Sequence, residues 1–225
     1  MEASTNGQPV SFYLDYELPP SRQPRPVLLA ELKKRSFDLA VASLVTVLVL
    51  SWLVPLLAVL IRLGSPGPAL YIQLRTGRKG SVFPCLKFRT MVHQAQAPFR
   101  QATQDDPRIT GLGRFLRRTN LDELPQFLNV LAGQMSVVGP RPHPLPLDAQ
   151  YWHSLPGYPD RYLVRPGITG LAQARGARGE TAELYQMKVR VRYDQLYIRH
   201  QSTRLDARIC WWTVKAALKG NKNAW

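Results

Sequence analysis

Asp122 and Glu123 stand side by side in GRFLRRTNLDELPQFLNVLAGQMSVVGPRP, residues 113–142, with Arg117 and Arg118 shortly before them and Arg141 between two prolines after them. A carboxylate pair boxed in by guanidinium groups suits chemistry on a phosphorylated substrate, because phosphoryl transfer is mostly positioning plus neutralisation of charge on oxygens. Either carboxylate could ligate Mg²⁺, which uses one or two carboxylates together with substrate phosphate. Leu124, Phe127, Leu128 and Leu131 fall at helical spacing, and Pro125 fits only a first turn, so regular structure begins close to Asp122. Plain capping is the simpler account of this segment alone, since Asn120 and Glu123 have the spacing of a capping box. It leaves the surrounding arginines unexplained.

Those arginines recur. VRPGITGLAQARG sets Arg165 before a Pro-Gly turn and closes on Arg175. KFRTM, residues 87–91, places Lys87 and Arg89 on one side of an extended chain, where two cations could hold a diphosphate; a solvated basic edge strand fits equally well. The net charge of +15, carried by 22 arginines and 8 lysines among the basic residues, calls for an anionic partner. Arginine favours bidentate phosphate contacts. A nucleic-acid-binding protein is the main alternative from charge alone, but the chain has no recognisable RNA- or DNA-binding motif and that reading leaves the acidic pair without a role. His93, His143, His153 and His200 show no ligand spacing, and Asp194 and Asp206 are left unassigned. Cys85 and Cys210 lie far apart, outside any CxxC spacing, which argues against a disulfide framework.

The elements that must position these residues divide the 225-residue chain into three parts. Residues 1–30, rich in proline with little apolar periodicity, read as a flexible arm. Residues 31–62 hold a run of 23 residues without a formal charge, Leu39 to Ile61, enough for a helix to cross a bilayer core of about 30 Å at about 1.5 Å per residue. Pro55 inside the run predicts a kink or break. Basic residues flank both ends, so neither end suits the outer side of a membrane. A re-entrant helix-break-helix that leaves by its own leaflet resolves this, and an ordinary single span is the competing reading. Residues 63–225 read as a cytoplasmic domain, in which Ala69–Leu74 and Ser81–Phe88 form a hairpin across TGRKG. Toward the C-terminus, LYQMKVRVRYDQLYIRHQ and LDARICWWTVKAALKG carry Tyr193, Tyr197, Trp211 and Trp212 on helices that suit either a membrane interface or the core. The expected class is α+β, predominantly helical, with a membrane helix, a compact catalytic domain containing a small β-hairpin, and amphipathic interface helices.

The series SPGPALYIQLRTG, FPCLKFRTM, DPRITGLGRFLRRTNLDELPQFLNVLAGQMSVVGPRP and RPGITGLAQARG resembles the bacterial sugar transferases known as monotopic phosphoglycosyl transferases, over about residues 31–219. The resemblance implies transfer of a sugar 1-phosphate from a UDP-sugar to polyprenol phosphate at the cytoplasmic face of the bacterial inner membrane. It implies Asp122 as nucleophile, Glu123 as its Mg²⁺-associated partner, and Arg117 and Arg141 as phosphate contacts. With it, Lys87, Arg89, Arg118, Arg165 and Arg175 become candidate substrate contacts. It also favours the re-entrant reading, with Pro55 as the break, although Val54 stands where members often have serine. Expected partners are the UDP-sugar, polyprenol phosphate and phospholipids, without nucleic acid; a homodimer is an admissible assembly. A non-catalytic scaffold for a polysaccharide complex is a third class, one expected to have lost the acidic pair. The identity of the sugar is not legible.

Overall fold

The computed structural model describes residues 28–93, 102–103, 106–177, 179 and 183–218. Of the expected N-terminal arm only its last three residues lie among these, and they already begin a helix. Helix α1 (Leu28–Val45), a π-turn (Thr46–Leu50) and α2 (Ser51–Gly64) form one 37-residue helix, long and apolar enough to cross a membrane. The break predicted at Pro55 does not occur there: helical backbone runs through Pro55, and the irregularity is the π-turn ahead of it. Proline lacks the N–H that would meet the Ser51 carbonyl and its ring crowds that carbonyl, so the upstream turn widens. Ser51 Oγ donates to the Val47 carbonyl (2.6 Å) and Trp52 Nε1 to that of Leu48 (2.9 Å), supplying extra donors to the widened turn.

One stripe of this helix is tied to the rest of the protein along most of its length. Arg35 donates to the carbonyls of Val130 (2.8 Å) and Leu131 (3.1 Å), which a helix C-terminus leaves without intrahelical partners. Buried Asp38 accepts from Ser136 Oγ and the Val137 N–H, both at 3.0 Å, while Lys34 bridges Asp38 (3.0 Å) and Asp206 (2.9 Å). Further along, Leu53, Leu57 and Ile61 recur every fourth residue and pack with Ala69, Phe88 and Leu116. Each such fully buried side chain contributes about 1.5–3 kcal/mol. The opposite stripe, including Val47, Leu48, Trp52, Leu56, Val59 and Leu63, is exposed.

Strands β1 (Leu70–Thr76) and β2 (Val82–Phe88) form the expected antiparallel hairpin, in register from Leu70↔Phe88 to Thr76↔Val82. Asn129 anchors β2, accepting from the Leu86 N–H (3.0 Å) and donating to the Pro84 carbonyl (2.8 Å). Helix α3 (Gly111–Thr119), a 3₁₀ turn (Leu121–Glu123) and α4 (Gln126–Leu131) follow. Then β3 (Ser136–Val138) pairs in parallel with β4 (Gly167–Thr169), on either side of α5 (Leu145–Tyr151) and a 3₁₀ turn (Pro159–Leu163). Sequence reading finds only turns here, because three-residue strands carry too little periodicity to register. Gly167 is required by close approach: a Cβ there would lie 2.0 Å from the Gly139 nitrogen. Helices α6 (Leu171–Ala174), α7 (Leu184–His200) and α8 (Thr203–Leu218) complete the described fold. The C-terminal aromatics divide between core and surface: Tyr197 is buried and donates to the Val138 carbonyl (2.9 Å), whereas Trp211 is exposed.

Candidate active site

Asn120 adopts a left-handed conformation (φ 58°) and ends α3, which turns the chain sharply into the 3₁₀ segment holding Asp122 and Glu123. Asparagine tolerates that region better than most residues. The capping box that the spacing allows is not made: the Glu123 carboxylate reaches away to other elements, and Asn120 makes no side-chain cap. Lys87 donates to Glu123 Oε1 at 2.6 Å from β2, and Arg141 donates to Oε2 at 2.9 Å and to Oε1 as well. Burial opposes ionisation of Glu123, but Arg141 and Lys87 outweigh it and hold the carboxyl well below its ordinary range.

Asp122 is the contrasting partner. It is 7% exposed and accepts no hydrogen bond among the described residues. Burial is the chief influence and pushes its carboxyl up to about 6, with Lys87, Arg117 and Arg141 pulling against it and Glu123 adding repulsion. Both carboxylates line a cavity of about 1260 Å³, together with Lys87, Arg117 and Arg141. Arg117 is oriented by a 2.9 Å bond from Nε to Thr90 Oγ1. A carboxylate that accepts no hydrogen bond from the described residues, with Lys87, Arg117 and Arg141 near it in a cavity, can act as a nucleophile or a metal ligand.

The other arginines singled out from the sequence divide between the cavity and the rest of the fold. Arg89 lies one residue past β2, so strand alternation no longer governs it, yet it lines the cavity along with Lys87. Its guanidinium donates to the carbonyls of Ile61 (3.2 Å), Ser65 (2.6 Å) and Pro66 (2.7 Å), capping the end of α2. Arg165 donates to the Gly133 carbonyl (3.0 Å), and exposed Arg175 lies over the Trp212 ring at 4.5 Å. Arg118 is exposed, and none of Arg118, Arg165 and Arg175 lines the cavity.

Sequence reasoning misses the buried network behind Arg141. Asp148 accepts from Tyr158 (2.6 Å), Tyr162 and Thr76; Arg161 donates to Asp194 (2.7 Å), to the Arg141 carbonyl (2.8 Å) and meets His143 Nδ1 at 2.8 Å. Arg75 Nη1 donates to the Pro142 carbonyl at 2.6 Å. Two arginines thus hold consecutive peptide carbonyls of the GPRP loop and fix where Arg141 points. The sequence shows this network only as unassigned Asp194 and as His143 next to that loop, because its partners lie 10 to 72 residues apart and join only in space. Among the described residues no group of three or more His, Cys, Asp or Glu side chains gathers to hold a metal.

Comparison with known proteins agrees with the motifs. The family model described as bacterial sugar transferase matches residues 29–220. The chain is 47% identical, over 81% of its length, to the UDP-glucose:undecaprenyl-phosphate glucose-1-phosphate transferase of Escherichia coli, of which it covers 39%. It is 45% identical over 87% of its length to the protein of the same name in Caulobacter vibrioides, covering 73% of that chain, and 43% identical over 84% of its length to the exopolysaccharide production protein PSS of Rhizobium leguminosarum, covering 96% of it. The chain therefore spans about two fifths of the Escherichia coli relative. With a match across nearly all its described residues, the chain belongs to the bacterial sugar transferase family.

Proposed function

We propose that this protein transfers a sugar 1-phosphate from a UDP-sugar to polyprenol phosphate, through a phospho-aspartate at Asp122, at the cytoplasmic face of the bacterial inner membrane. The observation that carries this reading is Asp122 itself, a buried, cavity-lining carboxylate that accepts no hydrogen bond from the described residues and is flanked by a salt-bridged neighbour. An Asp122 oxygen attacks the donor's β-phosphorus, and the bond from that phosphorus to the bridging oxygen breaks, so UMP departs with the electron pair. A phosphate oxygen of the acceptor then attacks the same phosphorus and displaces the aspartate. One diphosphate bond is exchanged for another, and the two substrates use one site in turn.

Glu123 fits a role beside this step. A carboxylate offers about four acceptor directions, and the three donors on Glu123 leave one on Oε2. Asp122 and that oxygen are the groups that would hold Mg²⁺, with substrate oxygens completing its shell. When bound, the ion supplies charge neutralisation on the diphosphate. Lys87 and Arg141 keep Glu123 ionised and immobile, while Arg117 faces the charge that develops on phosphate.

Membrane association is supported by the exposed apolar stripe of α1 and α2. The same helix contacts the catalytic body at Arg35 near one end and at Ile61 near the other. About 26 residues of helix cover about 39 Å, so a span would carry these two contacts to opposite sides of the bilayer. This favours a helix that stays with one leaflet. The names of the relatives make UDP-glucose the first donor to try. The decisive measurement is mass spectrometry of the protein after incubation with donor and Mg²⁺: a sugar-phosphate adduct on wild type and none on Asp122→Asn, with UMP release lost in parallel. Turnover persisting in Asp122→Asn would sink the assignment.

A further inference from the structure

Two buried arginines in the same cavity wall have charges that nothing described so far uses. Arg190, on α7, is 6% exposed, and Arg75, near the end of β1, is 7% exposed; both line the cavity. Among the described residues neither is ion-paired. Arg190 makes one hydrogen bond, from Nη2 to the Gly179 carbonyl at 3.0 Å, and its buried Nε has no acceptor. Arg75 donates to the Pro142 carbonyl and to Gln73 Oε1 (2.9 Å), and its Nε is likewise buried without an acceptor. The carboxylate one turn along from Arg190, Asp194, is committed to Arg161 at 2.7 Å.

Buried cations without counter-ions are costly and repel one another. Burial first, then Arg141 and Arg161, pushes Arg190 down to about 10, and burial also lowers Arg75, with Arg141 again opposing its charge. Arg141 thus lies within electrostatic reach of both, while its own guanidinium is held by Glu123. Besides Asp122 and Glu123 with Lys87, Arg117 and Arg141, the cavity wall carries two further guanidinium groups, Arg75 and Arg190, without an ion-pair partner among the described residues, which calls for an anion.

We propose that Arg190, assisted by Arg75, binds the nucleoside-side phosphate of the donor, the one that leaves with UMP. The inference rests on Asp122 as nucleophile: the sugar-bearing phosphate must meet Asp122, and the second phosphate, one bridging oxygen away, falls to the cations that Glu123 does not occupy. The Arg190 guanidinium, with the Gly179 carbonyl as acceptor and no counter-ion among the described residues, has N–H donors left to form charge-assisted hydrogen bonds to phosphate oxygens.

The test uses the full chain in lipid nanodiscs, with wild type, Arg190→Met, Arg190→Gln and Arg190→Lys. Calorimetric binding of UMP should weaken tenfold or more in the Met and Gln variants and recover in part with Lys, whereas uridine, which lacks the phosphate, should bind each variant as it binds wild type. In steady state, the KM for the UDP-sugar should rise by a similar factor while the KM for polyprenol phosphate stays unchanged. Gln keeps an uncharged amide donor where Met keeps none, so the pair separates loss of the positive charge from loss of any hydrogen-bond donor. Unchanged UMP binding in all three variants, or no UMP binding by wild type, overturns the proposal. So does a rise in the acceptor KM alone, which would give these cations to the lipid phosphate. An absent Asp122 adduct in wild type that still binds UMP through Arg190 would refute the covalent mechanism and leave this subsite standing.

Discussion

Asp122 and Glu123 are chain neighbours in opposite electrostatic settings. Glu123 is salt-bridged by Lys87 and Arg141, whereas Asp122 accepts no hydrogen bond among the described residues, and burial raises its pKa. That asymmetry separates a clamped carboxylate from one that accepts no hydrogen bond from the described residues. Replacing Glu123 by Gln leaves two partly buried cations without their counter-ion, a kind of loss that costs about 1–3 kcal/mol. The expected outcome is a clear drop in melting temperature together with loss of at least 99% of turnover, read by thermal unfolding and UMP release; a fully active, equally stable Glu123→Gln protein would contradict the role given to it. The acidic pair and Arg141 were legible as residue types at close spacing. Which acid was clamped was not, because Lys87 lies 36 residues away and meets Glu123 only through the hairpin.

At the scale of elements, the long helix is defined by two kinds of contact that composition does not distinguish. Its apolar run was plain in the sequence, and so was the hairpin, since period-2 strands flank a Gly-rich turn. That Arg35, Asp38 and Lys34 would fasten α1 to α4, β3 and α8 was not, because each partner lies about 95 or more residues away. Asp38→Ala removes the acceptor of Ser136 and of the Val137 N–H and leaves Lys34 with Asp206 alone. Thermal unfolding should show a loss of about 3 kcal/mol or more, and a change below about 1 kcal/mol would show that the anchor is dispensable. Topology is checked with single cysteines near residues 5 and 220 and an impermeant thiol reagent. Both should react from the cytoplasmic side; labelling from opposite faces would refute the one-leaflet arrangement. Arg89 teaches a related lesson. Its register in KFRTM suggested ligand binding; the strand ends at Phe88, and the side chain caps α2 while also lining the cavity.

At the scale of the whole molecule, a buried polar network joins α5, the Pro159–Leu163 turn and α7 behind the site. Burial, then Arg161 and other arginines, holds the His143 imidazole well below its ordinary value of 6.5, so the folded protein keeps it neutral. The unfolded chain takes up that proton near pH 6.5, and the folded one does not. Stability from this group is therefore present above pH 6.5 and is lost as pH falls, at up to about 1.4 kcal/mol per pH unit. His143→Gln should unfold less steeply with acid between pH 6.5 and 5 than wild type does, and an identical slope would show that His143 does not carry the effect. The sequence by itself determined the apolar helix, the hairpin, the family and the placing of an acidic pair among arginines, because these rest on residue types at short spacing and on continuous runs. Only the tertiary structure decided which carboxylate is clamped, which arginines line the cavity and which cap helices, and that the two ends of the helix hold one body. Those outcomes depend on contacts between residues tens of positions apart, where local periodicity and propensity carry no information.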